Sequence, residues 1–500
     1  MSSAQAGAPS QGSLFRSMLH GSGVYSIAIL GVPAASMILL PVTTRCLTTA
    51  DYGVIDLLQR VNDVLSTLLG IGFSSALGYF YFQPGSGKDR RAVVGTAVLG
   101  ATGLGAAAGL ACWPFAGLLS RWVFPGIAAT SYLLLVAATM PASFLLEALF
   151  GWLRVRNRPT IFTAAALFRV VIIIAGTVAL VGLLRLHVWG VLYTSVAAIA
   201  LTNLGLLVYW FHEVGVGFDA RLFARMAKFA APLGVGGLAM FIVHFGDRFI
   251  LPHYRSFGEV GVYSLAYKIG MLMSYFYGAF HTYWSAQVFQ IMRRDDAEEV
   301  FARMFTYVIL GLSLCGLGLT VCVGPALRIV SPPAFQGAVA VVPVLVTAYY
   351  VRAIGDFLRC LFLALGRPAY DAICSWLGAL TCLGAYFALI PPFGMWGAAY
   401  ATVGAFTVIG AISVIWTYRL RPYRLEAGRL GKIAAALTVS GLTYALIPAS
   451  SLAAQIGLAA LALALFPAML WLLRFAHPKE IGAAWAAVAW LTPRRFRTPA

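Results

Sequence analysis

Asp51-Tyr52-Gly53-Val54 returns 208 positions later as Glu259-Val260-Gly261-Val262. Farther along the chain, Arg158-Pro159 returns as Arg367-Pro368 after 209 positions, and Trp189-Gly190 as Trp396-Gly397 after 207. Three landmarks at one spacing mark two copies of one unit. Each copy holds six apolar stretches. Six is even, so both copies enter a membrane from the same side, related by a pseudo-two-fold axis along the membrane normal. Repeats of this kind place a substrate site at their interface, and the halves rock around it.

Composition places the chain in a membrane. Of 500 residues, 61% are hydrophobic and 10% charged, against about 45–50% and about 25% in soluble proteins. So little charge cannot cover a water-facing surface of this size. A soluble enzyme, a nucleic-acid binder and a disordered scaffold are excluded, so the net charge of +18 is not read as a nucleic-acid patch. The seven cysteines form no CxxC and read as small packing residues. Nothing in the sequence calls for a metal or cofactor.

A spanning helix needs about 20 apolar residues. Cutting at polar, glycine, proline and charged breaks predicts spans 22–42, 54–82, 92–116, 127–152, 160–183, 188–210, 227–251, 261–285, 303–325, 338–363, 371–390, 395–418, 431–448 and 452–474. The expected fold is an all-α polytopic membrane protein of about fourteen transmembrane helices. Its parts are a cytoplasmic segment 1–21, a six-helix bundle 22–210, a linker 211–226, a second bundle 227–418, two further helices within 431–474, and a basic tail 475–500. Placing both termini in the cytoplasm puts twenty-four basic residues in inner segments and five outside: Arg45, Arg121, Arg185, Arg255 and Arg328. The positive-inside bias selects that orientation.

The 6+6+2 plan resembles the multidrug/oligosaccharidyl-lipid/polysaccharide exporter superfamily. Residues 41–56 (PVTTRCLTTADYGVID), residues 246–251 (GDRFIL), residues 258–269 (GEVGVYSLAYKI) and Leu365-Gly366-Arg367-Pro368 resemble signatures of its polysaccharide-biosynthesis flippase branch. The resemblance runs from residue 14 to about residue 475. It implies movement of an undecaprenyl-pyrophosphate-linked oligosaccharide across the bacterial cytoplasmic membrane, by alternating access. Membrane lipids surround such a protein; a polysaccharide polymerase/export complex and H+ or Na+ coupling stay open as partners. Two relatives compete with this reading: a cation-coupled small-molecule or drug antiporter, and a peptidoglycan lipid-precursor flippase. A membrane glycosyltransferase or polymerase would need a long loop with paired carboxylates, and the predicted outer loops are short.

Ionisable groups inside a membrane are costly and usually face a cavity or a partner. The candidates are Arg60, Lys268, Arg352, Arg359, Arg169 and Arg248 as cavity cations, and Asp56, Asp63, Glu147, Asp247 and Asp356 as coupling or ion-pair groups. Arg60 matches Lys268 at the repeat spacing, and Glu147 matches Asp356. Charges at matched places in both halves are expected to face the shared interface; the alternative is an ion bridge inside each half. Asp56, Arg60 and Asp63 fall on one helical stripe, as do Arg352, Asp356 and Arg359, so pairing within each stripe is expected. Asp247 and Arg248 are adjacent and are expected on different faces: Asp247 has a partner across helices open to it, and the alternative to a cavity role for Arg248, near the outer end, is reaching toward the interface. A pyrophosphate requires fixed cations. Sugars suit hydroxyl and aromatic walls, for which Tyr267, Tyr275 and His281 are candidates.

Overall fold

The structure is a computed structural model that describes residues 31, 33–83, 90–292 and 294–475. The proposed segment 1–21, the start of the first span and nearly all of the tail 475–500 lie outside the described residues. The helices are α1 (Leu40–Cys46, the end of the first span), α2 (Thr49–Tyr81), α3 (Arg90–Cys112), α4 (Thr130–Val155), α5 (Pro159–Leu183), α6 (His187–Glu213) and α7 (Ala220–Phe245, prolonged by Asp247–Ile250). There follow α8 (Phe257–Gly270, continued after Met271 by Leu272–Ile291), α9 (Ala297–Val330), α10 (Ala338–Ala364), α11 (Pro368–Phe393), α12 (Met395–Leu420), α13 (Ala427–Leu446) and α14 (Leu452–Leu472). Among the described residues, eleven helices are each long and apolar enough to cross a membrane. The partly described α1, the broken α8 and α13 complete the fourteen.

Chain punctuation places these helices. Thr48 caps α2: its hydroxyl accepts from Asp51 N at 3.0 Å, and Asp51 Oδ2 accepts from Thr48 N at 3.1 Å. Its repeat mate Ser256 caps α8 by accepting from Glu259 N at 3.3 Å. Asn157 (φ +53°) and Gly366 (φ +71°) stop α4 and α10 in left-handed conformations, and Pro159 and Pro368 then open the next helices. The repeated sequence landmarks are therefore caps and turns.

Boundaries move in two places. Asp219 Oδ1 accepts from Arg221 N (2.8 Å) and Leu222 N (3.2 Å), starting α7 at Ala220 rather than 227. With α6 running to Glu213, the expected linker 211–226 shrinks to 214–219. An ion pair between Glu299 and Arg303 (2.5 Å) lies in the early turns of α9, which begins at Ala297 and runs 34 residues, about 51 Å at 1.5 Å per residue.

Packing repeats as the sequence does. In the first half, α2 packs on α3 and α4, α3 on α4, α4 on α6, α5 on α6, and α1 on α5. In the second, α8 packs on α9 and α10, α9 on α10, α10 on α12, α11 on α12, and α7 on α11. Adding six to each helix number converts one set into the other. α13 and α14 pair with each other and rest on α9. The halves meet where α2 crosses α8 and where α7 lies along α2 and α3. Lipid is as apolar as leucine, so close approach of small residues, rather than hydrophobic burial, holds such crossings.

Candidate functional site

The α2–α8 crossing carries two facing stripes. Gly53, Asp56 and Arg60 project from α2; Gly261, Ser264 and Lys268, their mates at spacing 208, project from α8. A Cβ built on Gly53 would lie 2.5 Å from Phe257 O and 3.0 Å from Gly261 N. One built on Gly261 would collide with Thr49 O. Glycine at both places lets the backbones touch, and the next residues along the stripes form a polar seam. Ser264 Oγ donates to Asp56 Oδ2 at 2.8 Å, and Lys268 Nζ donates to the Tyr52 hydroxyl at 2.7 Å.

Arg248 enters this seam from the end of α7. Its Nε donates to Asp56 Oδ2 at 2.9 Å and its Nη1 to Asp247 Oδ1 at 2.7 Å. The guanidinium lies 3.9 Å from the Tyr267 ring centroid, and the side chain is 2% exposed. Arg248 takes the cavity place rather than the alternative at the outer interface, and, against the expectation of separate faces, adjacency does not keep it from Asp247. The long Arg248 side chain folds back over its neighbour, while the Tyr263 hydroxyl donates to Asp247 Oδ2 at 2.5 Å. Breaking such a buried pair by removing one partner costs about 3–5 kcal/mol. Behind it, His244 Nδ1 sits 3.4 Å from the Tyr267 hydroxyl and 3.3 Å from that of Tyr349.

Arg60 stays on its own helix for charge and crosses the join for packing. It donates to Asp63 Oδ2 at 2.5 Å and pairs with Asp56 Oδ1 at 3.4 Å, and its guanidinium stands 4.2 Å from the Phe245 ring centroid. These groups line a cavity of about 160 Å³ between the halves. Its walls include Ser36, Asp56, Gln59, Arg60, Phe245, Arg248, Ser264, Tyr267, Lys268 and Tyr275. Among the described residues, three cations and one carboxylate therefore face it, together with hydroxyls, an amide and aromatic rings.

The remaining candidates lie elsewhere. Arg352 pairs with Asp356 at 3.3 Å and donates to Ser274 Oγ at 3.0 Å. Arg359 pairs with Asp371 at 2.6 Å and Asp356 at 3.4 Å, and donates to Ser375 Oγ at 2.8 Å. That chain of ion pairs ties α10 to α11 within the second half. Arg169 stands on α5, and Glu147 of α4 lines a small pocket with residues of α2 and α3, both within the first half. Glu147 and Asp356 therefore do not line the cavity in which Arg60 and Lys268 meet. His281 Nε2 is 3.5 Å from Cys360 Sγ, away from that cavity. Gln59, Tyr52, Phe245 and Ser264 were missed from sequence. Ser264 was within reach, because adding the spacing 208 to Asp56 lands on it.

Two pseudo-symmetric bundles of membrane helices around a polar cavity define a polytopic, all-helical membrane protein built on an internal repeat. The chain belongs to the polysaccharide biosynthesis protein family, whose model matches residues 18–283. No curated protein matches the sequence. Among solved structures, the lipid II flippase MurJ in an inward closed conformation superposes with TM-score 0.72 at 15% identity, over 91% of this chain and 99% of that one. An inward-facing multidrug resistance MATE family transporter gives 0.65 at 16% identity, over 80% and 98%. A superfamily transporter from Pyrococcus furiosus, described as having a binding pocket of reverse polarity, gives 0.54 at 14% identity, over 81% and 95%. At these identities the likeness is one of fold.

Proposed function

We propose that this protein is a flippase that moves a polyprenyl-pyrophosphate-linked oligosaccharide from the cytoplasmic to the outer leaflet of a bacterial cytoplasmic membrane, for cell-surface or exopolysaccharide assembly. The observation that carries this reading is the convergence of Arg60, Arg248 and Lys268, from three helices of both halves, on one cavity with a single lining carboxylate. A pyrophosphate loses water on entry and needs such fixed cations. Tyr267, Tyr275, Gln59 and Ser264 give a sugar hydroxyl and ring partners. The lipid tail stays in the bilayer. A cationic drug would meet more cations than carboxylates at the described cavity wall, with Asp63 and Asp247 standing behind it as ion-pair partners, which disfavours the antiporter reading.

Alternating access of the two bundles exposes the cavity to each side in turn. The basic-residue bias supports cytoplasmic termini. An inside-negative potential assists outward movement of an anion by about 2.3 kcal/mol per charge per 100 mV. Two phosphate charges give roughly twice that, so H+ or Na+ antiport is auxiliary in this scheme.

Deleting the gene and identifying the lipid-linked glycan retained on the cytoplasmic face tests the proposal. Accumulation of a polyprenyl-pyrophosphate oligosaccharide supports it. Accumulation of the peptidoglycan precursor instead selects the precursor-flippase reading, and normal glycan export with lost drug resistance selects the antiporter.

A further inference from the structure

Asp56 is the anomaly of the cavity. It is a carboxylate, 14% exposed, standing among the cations that the proposed substrate would use. Its Oδ2 accepts from Arg248 Nε of α7 and from Ser264 Oγ of α8, both across the join, and its Oδ1 pairs with Arg60 on its own helix. Asp247 also pairs with Arg248, but it is wholly buried behind it and belongs to the same half. Asp56 therefore occupies the place of an incoming anion and fastens the two halves together with the same bonds.

We infer that Asp56 is an internal counter-anion that the pyrophosphate of the substrate displaces, so that binding itself unfastens the bundles. The inference rests on the flippase reading. Charge balance follows from which helix each group rides on. The incoming phosphates take Arg248 and Lys268, which stand on α7 and α8. Asp56 keeps Arg60, four residues along α2, and Arg60 keeps Asp63, three residues further. Asp56 and Asp63 then share Arg60, and Asp247 keeps Nη1 of Arg248, so each carboxylate retains a cation neighbour while the site as a whole gains the negative charge of the ligand. Lys268 gives up the Tyr52 hydroxyl and Ser264 gives up Asp56. After that exchange, none of the three polar bonds joining α2 to α7 and α8 at this seam remains. A ligand can shift a two-state equilibrium only by binding its states unequally. Here the inequality is built in, because the fastened state has its anion site already filled.

The test is binding of inorganic pyrophosphate to the purified full chain in lipid nanodiscs, by calorimetry. Removing the competitor through Asp56→Asn is expected to tighten binding about tenfold, and the milder Ser264→Ala to tighten it about threefold. A second readout needs no affinity change: spin labels at exposed Leu118 and Tyr254, on opposite halves, should separate when pyrophosphate is added to the wild type. In Asp56→Asn they should be separated before it is added. Unchanged or weaker binding by both variants, with wild-type binding abolished by Lys268→Ala, overturns the displacement while leaving the flippase reading intact. Wild-type binding that is absent, or indifferent to Lys268→Ala, overturns both.

Discussion

Gly53 and Gly261, mates in the 208-residue repeat, face each other backbone to backbone: a Cβ on either would lie 3.0 Å from the amide nitrogen of the other. The pair sits next to the caps Thr48 and Ser256, at the end of the crossing that the proposed orientation turns outward. Closure of that side therefore depends on two missing side chains.

Gly261→Ala drives a methyl group into Thr49 O and is expected to cost about 1–3 kcal/mol as overpacking. Gly205→Ala, with open space around its Cβ, should leave thermal stability unchanged. A thermal-unfolding series on the two variants checks the contrast. Equal midpoints would mean that the crossing is looser than described.

Arg60→Ala and Lys268→Ala should impair glycan export while leaving the protein in the membrane. Arg60→Lys should keep part of the activity if charge suffices, and little if the substrate uses the planar fork of the guanidinium. Export assays on cells with matched protein levels decide this. Abundant, folded and fully active alanine variants would remove these cations from the mechanism.

Arg352→Ala should leave pyrophosphate binding to the purified protein unchanged, because Arg352 is tied to Asp356 and Ser274 rather than to the cavity wall. A loss of binding comparable to that of Lys268→Ala would place Arg352 in the substrate path.

Arg248→Ala strands Asp247 with no exposed surface and should destabilise the fold by about 3–5 kcal/mol. Adding Asp247→Asn should restore part of that loss. Thermal unfolding of the single and double variants measures the rescue, and its absence would show that Tyr263 alone satisfies the carboxylate.

Single cysteines at Gly87 and Gly428 should resist an impermeant thiol reagent added outside intact cells. Labelling of either from outside would invert the topology.

The architecture was readable because its signals are local. Asp51 and Pro159 mark a cap and a turn, Trp189 lies in the first turn of α6, and such chemistry acts within a few residues of sequence. Span ends followed hydropathy except where a single group reset them, as Asp219 did for α7. The site was readable only along the repeat. Arg60 and Lys268 emerged as partners because they are one position seen twice. Phe245 and Tyr52 carry no such mark, since their places depend on how three helices cross. The bond between Arg248 and Asp247 is hidden for a related reason: helical face rules assume a short side chain, and this guanidinium travels far enough to bond its own neighbour.

The ion pairs also bear on how the chain enters a bilayer. Asp56, Arg60 and Asp63 are linked along α2, Asp247 and Arg248 along α7, and Arg352, Asp356 and Arg359 along α10. Each charged centre at mid-helix costs about 2.5–3.5 kcal/mol during insertion, and a partner on the same helix lowers that cost before any other helix arrives. These segments can leave the translocon one by one, largely self-neutralised. Lys268 has no acid beside it on α8, so the timing of its helix in biogenesis is tied to the earlier arrival of α2.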